Sequence, residues 1–289
     1  MAVKEYTARG SENDVQAKSV KDCGILITGA GRGIGKRLAI GLALMGARVG
    51  LLARTKGELD LAALEIEQAG GTSLRIRADV RDYEQIVAAT ERMRAHFGRL
   101  DAVICAAGIQ GPIGPLAEAD PKAWAETIDT NLVGVMHACR AALPGMLAQK
   151  QGKLLLITGG GTTKPRPNFT AYSAGKAALA RFAESLSEEV QEHNVQVNCM
   201  APGAAYTSMT DEILRAGDRA GWREQEDARE VRQSGGVPPD KQIQLAAFLV
   251  SETSNHISGK LIHVSDDWKR LGKESLNPEA YTLRRIQRT

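Results

Sequence analysis

The sequence predicts an α/β protein with one doubly wound parallel sheet of about seven strands and helices on both faces. Three observations predict it. Short, wholly apolar runs alternate with longer stretches in which apolar residues recur every three or four positions. The short runs are apolar throughout, as strands covered on both faces are, and do not alternate apolar with polar. The chemically distinctive motifs all fall at the C-terminal ends of those runs, where sheets of this kind bind ligands. The 289 residues suit one large domain and bury a sizeable core.

The elements follow in order. Residues 1–21 are polar, without apolar period, and read as a leader; residues 22–266 form the folded domain and 267–289 a tail. Ile25-Leu26-Ile27 is the first strand, and Ile34, Leu38, Leu42 and Met45 recur at helical spacing until Gly46. Val49 to Leu52 is a strand, and the helix after it ends at Gly70-Gly71. Residues 73–80 are a strand, 83–98 a helix and 100–108 a strand. Residues 121–150 predict one long helix through Asn131, followed by a strand at 153–159. The next helix carries Tyr172 and Lys176 and continues with Leu179, Phe182, Leu186 and Val190 on one face. After a strand at 195–203, residues 204–236 are charged, contain glycines and show little period, which predicts a loop. Pro238-Pro239 opens a helix, and residues 260–265 form the last strand.

"TGAGRGIG" runs from Thr28 to Gly35 between a strand and a helix. That context makes Gly29, Gly31, Arg32, Gly33, Ile34 and Gly35 a candidate dinucleotide cradle. Glycine lets the backbone approach a pyrophosphate, which free N–H groups at a helix N-terminus stabilise. At the end of the second strand, where a carboxylate would accept from the 2′-OH of NAD, stand Ala53 and Arg54. Arg54, with Arg32, suits a 2′-phosphate and favours NADP(H), NAD(H) being the alternative.

Tyr172 and Lys176 stand one helical turn apart, so a phenol and an ammonium share a face. With "TGAGRGIG", "ADV" at 78–80, "AAG" at 106–108, Asn131 and "PG" at 202–203, they occur in an order that resembles the short-chain dehydrogenases/reductases over residues 22–265. The resemblance implies a Rossmann-like single domain that moves hydride between a nicotinamide and an alcohol or carbonyl carbon. It implies Tyr172 as proton donor and acceptor, and Lys176 holding the nicotinamide ribose and lowering the tyrosine pKa. It also implies Asn131 at a helix kink, Asp79 and Val80 against the adenine, and Thr207 near the nicotinamide amide. Ala106, Ala107, Gly108, Pro202, Gly203 and Ala205 complete the expected cofactor contacts.

Three departures from the family stand out. Its catalytic serine precedes the tyrosine by 13 residues, a position held here by Gly159. Thr158 is the nearest hydroxyl and the expected substitute, although neighbouring strand residues face opposite ways; Thr162 and Thr163 are further candidates. Loss of one such donor costs roughly 2.7–4 kcal/mol, which admits a rival reading as a dinucleotide-binding regulatory or scaffolding protein with weak or no turnover. Two amides that usually brace the central strands are replaced by Cys105 and Ala106. The tail carries Arg284, Arg285 and Arg288, with Tyr281 and Leu283 offering apolar surface for ordered packing.

The substrate loop, 204–236, holds Tyr206, Met209, Trp222 and Arg223 among many charges, which points to a small polar alcohol or carbonyl substrate. Net charge is +3 with both signs interspersed, so no nucleic-acid partner is expected. Four scattered cysteines without ligand spacing exclude a metal site and suit a cytoplasmic protein. No apolar run could span a bilayer. In the family, the long helices around 121–150 and 172–193 pack into homodimers or homotetramers.

Overall fold

A computed structural model describes residues 20–271, 277 and 279–284. Seven parallel strands form one sheet: β1 Gly24–Thr28, β2 Arg48–Ala53, β3 Thr72–Arg77, β4 Ala102–Cys105, β5 Gly152–Ile157, β6 Val195–Ala201 and β7 Leu261–His263. Their order across the sheet is β3-β2-β1-β4-β5-β6-β7. The chain winds outward from β1 to β3, then returns to β4 on the other side. The crevice beyond the C-terminal ends of β1 and β4 is therefore the switch point of a Rossmann-like fold.

The helices are α1 Gly33–Leu44, α2 Lys56–Gln68, α3 Tyr83–Phe97, α4 Pro121–Ile128, α5 Gly134–Gln149, α6 Thr170–Val190, α7 Ser208–Ala216, α8 Trp222–Ser234, α9 Pro239–Leu249 and the short α10 Trp268–Leu271. Because successive strand residues point to opposite faces, Ile25 and Ile27 join one core while Leu26 joins the other. On the first face they meet Leu38 and Leu42 of α1, Ile66 of α2 and Ile243 of α9. On the second, Leu26 and Val103 meet Ile86 of α3, Met146 of α5 and Leu179 of α6. Both faces of every central strand are thus covered, which is why those runs contain no alternation.

The expected strands and helices occur in the expected order, with two differences. The long helix of 121–150 is interrupted by a π-helical stretch, Asp129–Val133, that contains Asn131. Residues 204–236, expected as a loop, instead form α7 and α8. Thr207 caps α7 in a reciprocal pair with Thr210. Gly217 and Gly235, with φ of 56° and 80°, end the two helices. Their buried faces are narrow, Thr210 and Ile213 in one and Gln225 and Ala228 in the other, so the charged residues mask the period.

Residues 1–19 of the leader, and Arg285 and Arg288 of the tail, lie outside the described residues. The described part of the tail packs as its apolar residues suggest. Leu261 N–H donates to Tyr281 O at 2.7 Å, and Leu283 N–H to Glu184 Oε1 at 2.7 Å. Arg284 Nη1 reaches Glu184 Oε2 at 3.0 Å. Among the described residues, no helix is long and apolar enough to cross a membrane, and no group of three or more His, Cys, Asp or Glu could hold a metal ion.

Candidate active site

One cavity of about 990 Å³ runs along the C-terminal ends of the strands. Every residue expected at the catalytic and cofactor sites except Asn131 lines it; of the residues expected in the substrate loop, Met209 lines it, while Tyr206, Trp222 and Arg223 do not. At one end lies the glycine turn. A Cβ on Gly29, whose φ is 68°, would stand 2.7 Å from Ala107 Cα, so glycine there lets the β1 and β4 loops touch. Thr28 Oγ1 reinforces that contact by accepting from Ala107 N at 3.2 Å. A Cβ on Gly35 would lie 2.3 Å from Gly29 O, so α1 packs directly onto the turn. Arg32 caps α1 without a side-chain hydrogen bond, which leaves the first N–H groups of the helix open to the cavity. A pyrophosphate fits this cradle. Thr207 stands opposite, its Cγ2 3.4 Å from where a Gly33 Cβ would be.

At the edge of the sheet beyond β2, Arg54 and Arg32 have side chains 54% and 56% exposed. Each has a distant carboxylate, Asp79 at 3.8 Å from Arg54 and Glu58 at 3.9 Å from Arg32. Arg81 holds Asp79 more closely, at 2.7 Å, and that hydrogen bond keeps the Asp79 carboxyl below its ordinary pKa. Glu58 also lines the cavity. It was not legible from the end of β2, because it arrives from the first turn of α2, four residues after Arg54.

At the other end stand Tyr172 and Lys176. Lys176 Nζ is buried and donates to Ile157 O at 2.7 Å, 5.7 Å from the Tyr172 ring centroid. Burial pulls its pKa down to about 8. Asn131, fully buried in the π-helical stretch, clamps the loop after β4. Its Oδ1 accepts from Ile109 N, and its Nδ2 donates to Ile109 O, both at 2.9 Å. This places Gly108 against both Asn131 Oδ1 and Lys176 Nζ.

Three expectations are corrected. Thr158 does not turn toward the tyrosine: its N–H and its hydroxyl both donate to Met200 O of β6, at 2.9 and 3.1 Å, which ties the residue to the neighbouring strand. Thr162 donates to Gly159 O at 2.7 Å and so closes its own turn, while Thr163 is exposed. The tyrosine pKa is not lowered overall: burial raises it, and the cation that opposes the rise is Arg166.

The glycine run makes room. A Cβ on Gly159 would lie 2.7 Å from Tyr172 Oη, and one on Gly161, whose φ is 89°, 2.3 Å from Ser173 Oγ. Beside them Arg166 stacks on Phe169, 3.9 Å from its ring centroid, and lies 5.4 Å from that of Tyr172. Arg166 is held by Glu224 of α8 through two bonds of 2.8 and 2.6 Å. Gln110, 2% exposed, lines the cavity with its Nε2 unpartnered. No local pattern marks Arg166 or Glu224, which are 58 residues apart; Gln110 stands two residues after Gly108, within reach of the motif there.

A dinucleotide cradle on a switch-point crevice, ending at a buried phenol and an ammonium, defines a nicotinamide-dependent oxidoreductase. Residues 24–217 match the short chain dehydrogenase family model. The chain is 31% identical over 247 residues to the 3-oxoacyl-[acyl-carrier-protein] reductase of Staphylococcus aureus, covering 83% of this chain and 95% of that one. It is 33% identical over 261 residues to (-)-trans-carveol dehydrogenase of Rhodococcus erythropolis, covering 83% and 94%. Among solved structures, a gluconate 5-dehydrogenase from Burkholderia cenocepacia, in complex with NADP and tartrate, aligns with a TM-score of 0.75 at 27% identity, over 86% and 96%. The chain belongs to the short-chain dehydrogenase/reductase family, and it is an oxidoreductase acting on alcohols or ketones with NAD(P).

Proposed function

We propose that this enzyme uses NADP(H) to interconvert a small polar alcohol and its carbonyl, with Tyr172 exchanging the proton. The observation that carries the reading is the position of Tyr172 Oη. It faces the backbone of Gly159 in the same cavity that holds the glycine cradle, and among the described residues it has no hydrogen-bond partner. A phenol left unpaired there is free to bond a substrate oxygen. The dinucleotide, when bound, supplies or accepts the hydride. Lys176, one turn on, would hold the nicotinamide ribose with the donors that Ile157 O leaves unused. Asn131 keeps the loop after β4 in place through both bonds to Ile109.

Polarity of the substrate is supported by Gln110. A buried amide without a partner costs free energy unless a bound group accepts from it, so an apolar substrate would leave that cost standing. The preference for NADP(H) is supported by two exposed guanidinium groups at the ribose end, Arg32 and Arg54, whose nearest carboxylates, Glu58 and Asp79, stand 3.9 and 3.8 Å away.

The test is a panel of polar ketones, keto-sugars and hydroxy acids assayed with NADPH and NADH. Turnover with NADPH is expected. Tight dinucleotide binding with no turnover on any member would support the regulatory reading that Gly159 raises. Arg54→Ala should raise the KM for NADPH about 10- to 100-fold, the equivalent of one charge-assisted hydrogen bond, and leave that for NADH nearly unchanged. An equal effect on both would remove Arg54 as the discriminator.

A further inference from the structure

We propose that Arg166 and Glu224 form an electrostatic positioning pair for Tyr172: the guanidinium stabilises the phenolate on the side where the family's hydroxyl is missing, and Glu224 holds and moderates it. The inference rests on the reading of Tyr172 as the proton-exchanging group.

The observations are geometric. The space beside the phenol that a side chain at residue 159 would fill is closed to any Cβ, since one there would stand 2.7 Å from Oη. Residue 160 is also glycine, and a Cβ there would come to 3.8 Å from Arg166 Cδ, so Arg166 lies along the same glycine run. Its side chain is only 14% exposed, and the guanidinium packs on Phe169, one helical turn before Ser173 and directly preceding α6. Screening by water is correspondingly weak. Arg166 and Glu224 both line the cavity that holds Tyr172.

The pair's own hydrogen bonds limit what else it could do. Two of the five N–H groups of Arg166, on Nε and Nη2, are engaged by Glu224, which fixes the plane of the guanidinium and takes one of its two bidentate edges. So held, its charge lies 5.4 Å from the Tyr172 ring centroid. The charged groups facing the phenol are Arg166 from the β5–α6 loop, Lys176 from its own helix and Glu224 from α8. From α7, the residue packed against it is the apolar Ile213. Asp227, on α8, lines the same cavity. Arg166 opposes the rise in phenol pKa that burial causes, and Glu224 adds to that rise. Opposite charge at this range shifts an ionisation by about one unit or more.

The pair can be tested because its two members act with opposite sign on Tyr172 but with the same sign on structure. The readouts are the pH titration of Tyr172 by NMR of tyrosine-labelled, cofactor-free protein, and the acid limb of kcat for alcohol oxidation. Tyr172→Phe assigns the signal among the five tyrosines. Arg166→Met should move both midpoints up by about one pH unit or more. Arg166→Lys should restore most of the native value, and Glu224→Gln should move both midpoints down. Glu224→Gln is nearly isosteric and keeps the test open if Arg166→Met does not fold. If Arg166→Met and Glu224→Gln shift the midpoint in the same direction, or neither shifts it, the pair is only a structural tie and the proposal fails. Such a failure leaves the role of Tyr172 standing, because that role is judged by turnover of Tyr172→Phe.

Discussion

Gly159→Val is expected to lower kcat at least about 100-fold while leaving dinucleotide binding intact, the usual consequence of displacing a reacting group by about an ångström. The cause is steric. Even the first carbon of a side chain at 159 would stand 2.7 Å from Tyr172 Oη and 3.6 Å from its Cζ. The ring has little freedom to retreat. It is 8% exposed, packed with Phe169, Ile213, Ala220 and Ala228, and it has Arg166 on one side. The glycine cradle lies at the far end of the cavity and does not sense the change. Gly159→Ser introduces the same Cβ, so restoring the family's residue is expected to give no gain in kcat. A variant with higher kcat than the native protein would show that the phenol moves aside easily and that Gly159 is only a missing part.

Lys176→Met should be as damaging to turnover, again by at least about 100-fold, the scale of a lost acid–base partner. It removes the 2.7 Å bond to Ile157 O and the only cation on the tyrosine's own helix that reaches the site. A second effect separates it from a general loss of fold. Burial pulls the Lys176 pKa to about 8 from 10.5, so between those values the unfolded chain holds a proton that the folded chain has released. Stability therefore rises with pH across that window, and falls again as pH drops through about 8. In Lys176→Met this contribution disappears. Urea midpoints measured across the window should rise less steeply than in the native protein. Lys153, buried at the foot of β5 and pulled to about 7, and Lys260, also lowered by burial, keep rises of their own in the variant.

The sheet was readable because every central strand is covered on both faces and so appears as an unbroken apolar run, as in Ile25 to Ile27. The glycine turn was readable because its residues act through backbone approach, which only glycine permits. What escaped had no local signal. The helices α7 and α8 bury only two residues each and otherwise look like solvated chain. Arg166 and Glu224 meet across 58 residues, and neither stands in a recognisable spacing. Glu58 belongs to a different element from Arg54, so nothing at the end of β2 marks it. Thr158 illustrates the reverse case. The alternation of a strand argues that it faces away from the tyrosine, and its two bonds to Met200 O on β6 hold it there despite the glycines beside it.

The central claim is that the Tyr172 hydroxyl exchanges the proton with substrate. Its most direct test is Tyr172→Phe, which removes one oxygen and leaves the ring packing on Phe169 and Ile213. Turnover on any substrate accepted by the native enzyme should fall by about 100- to 10,000-fold, with NADPH affinity within about twofold of native. Full-rate turnover by Tyr172→Phe would contradict the account outright.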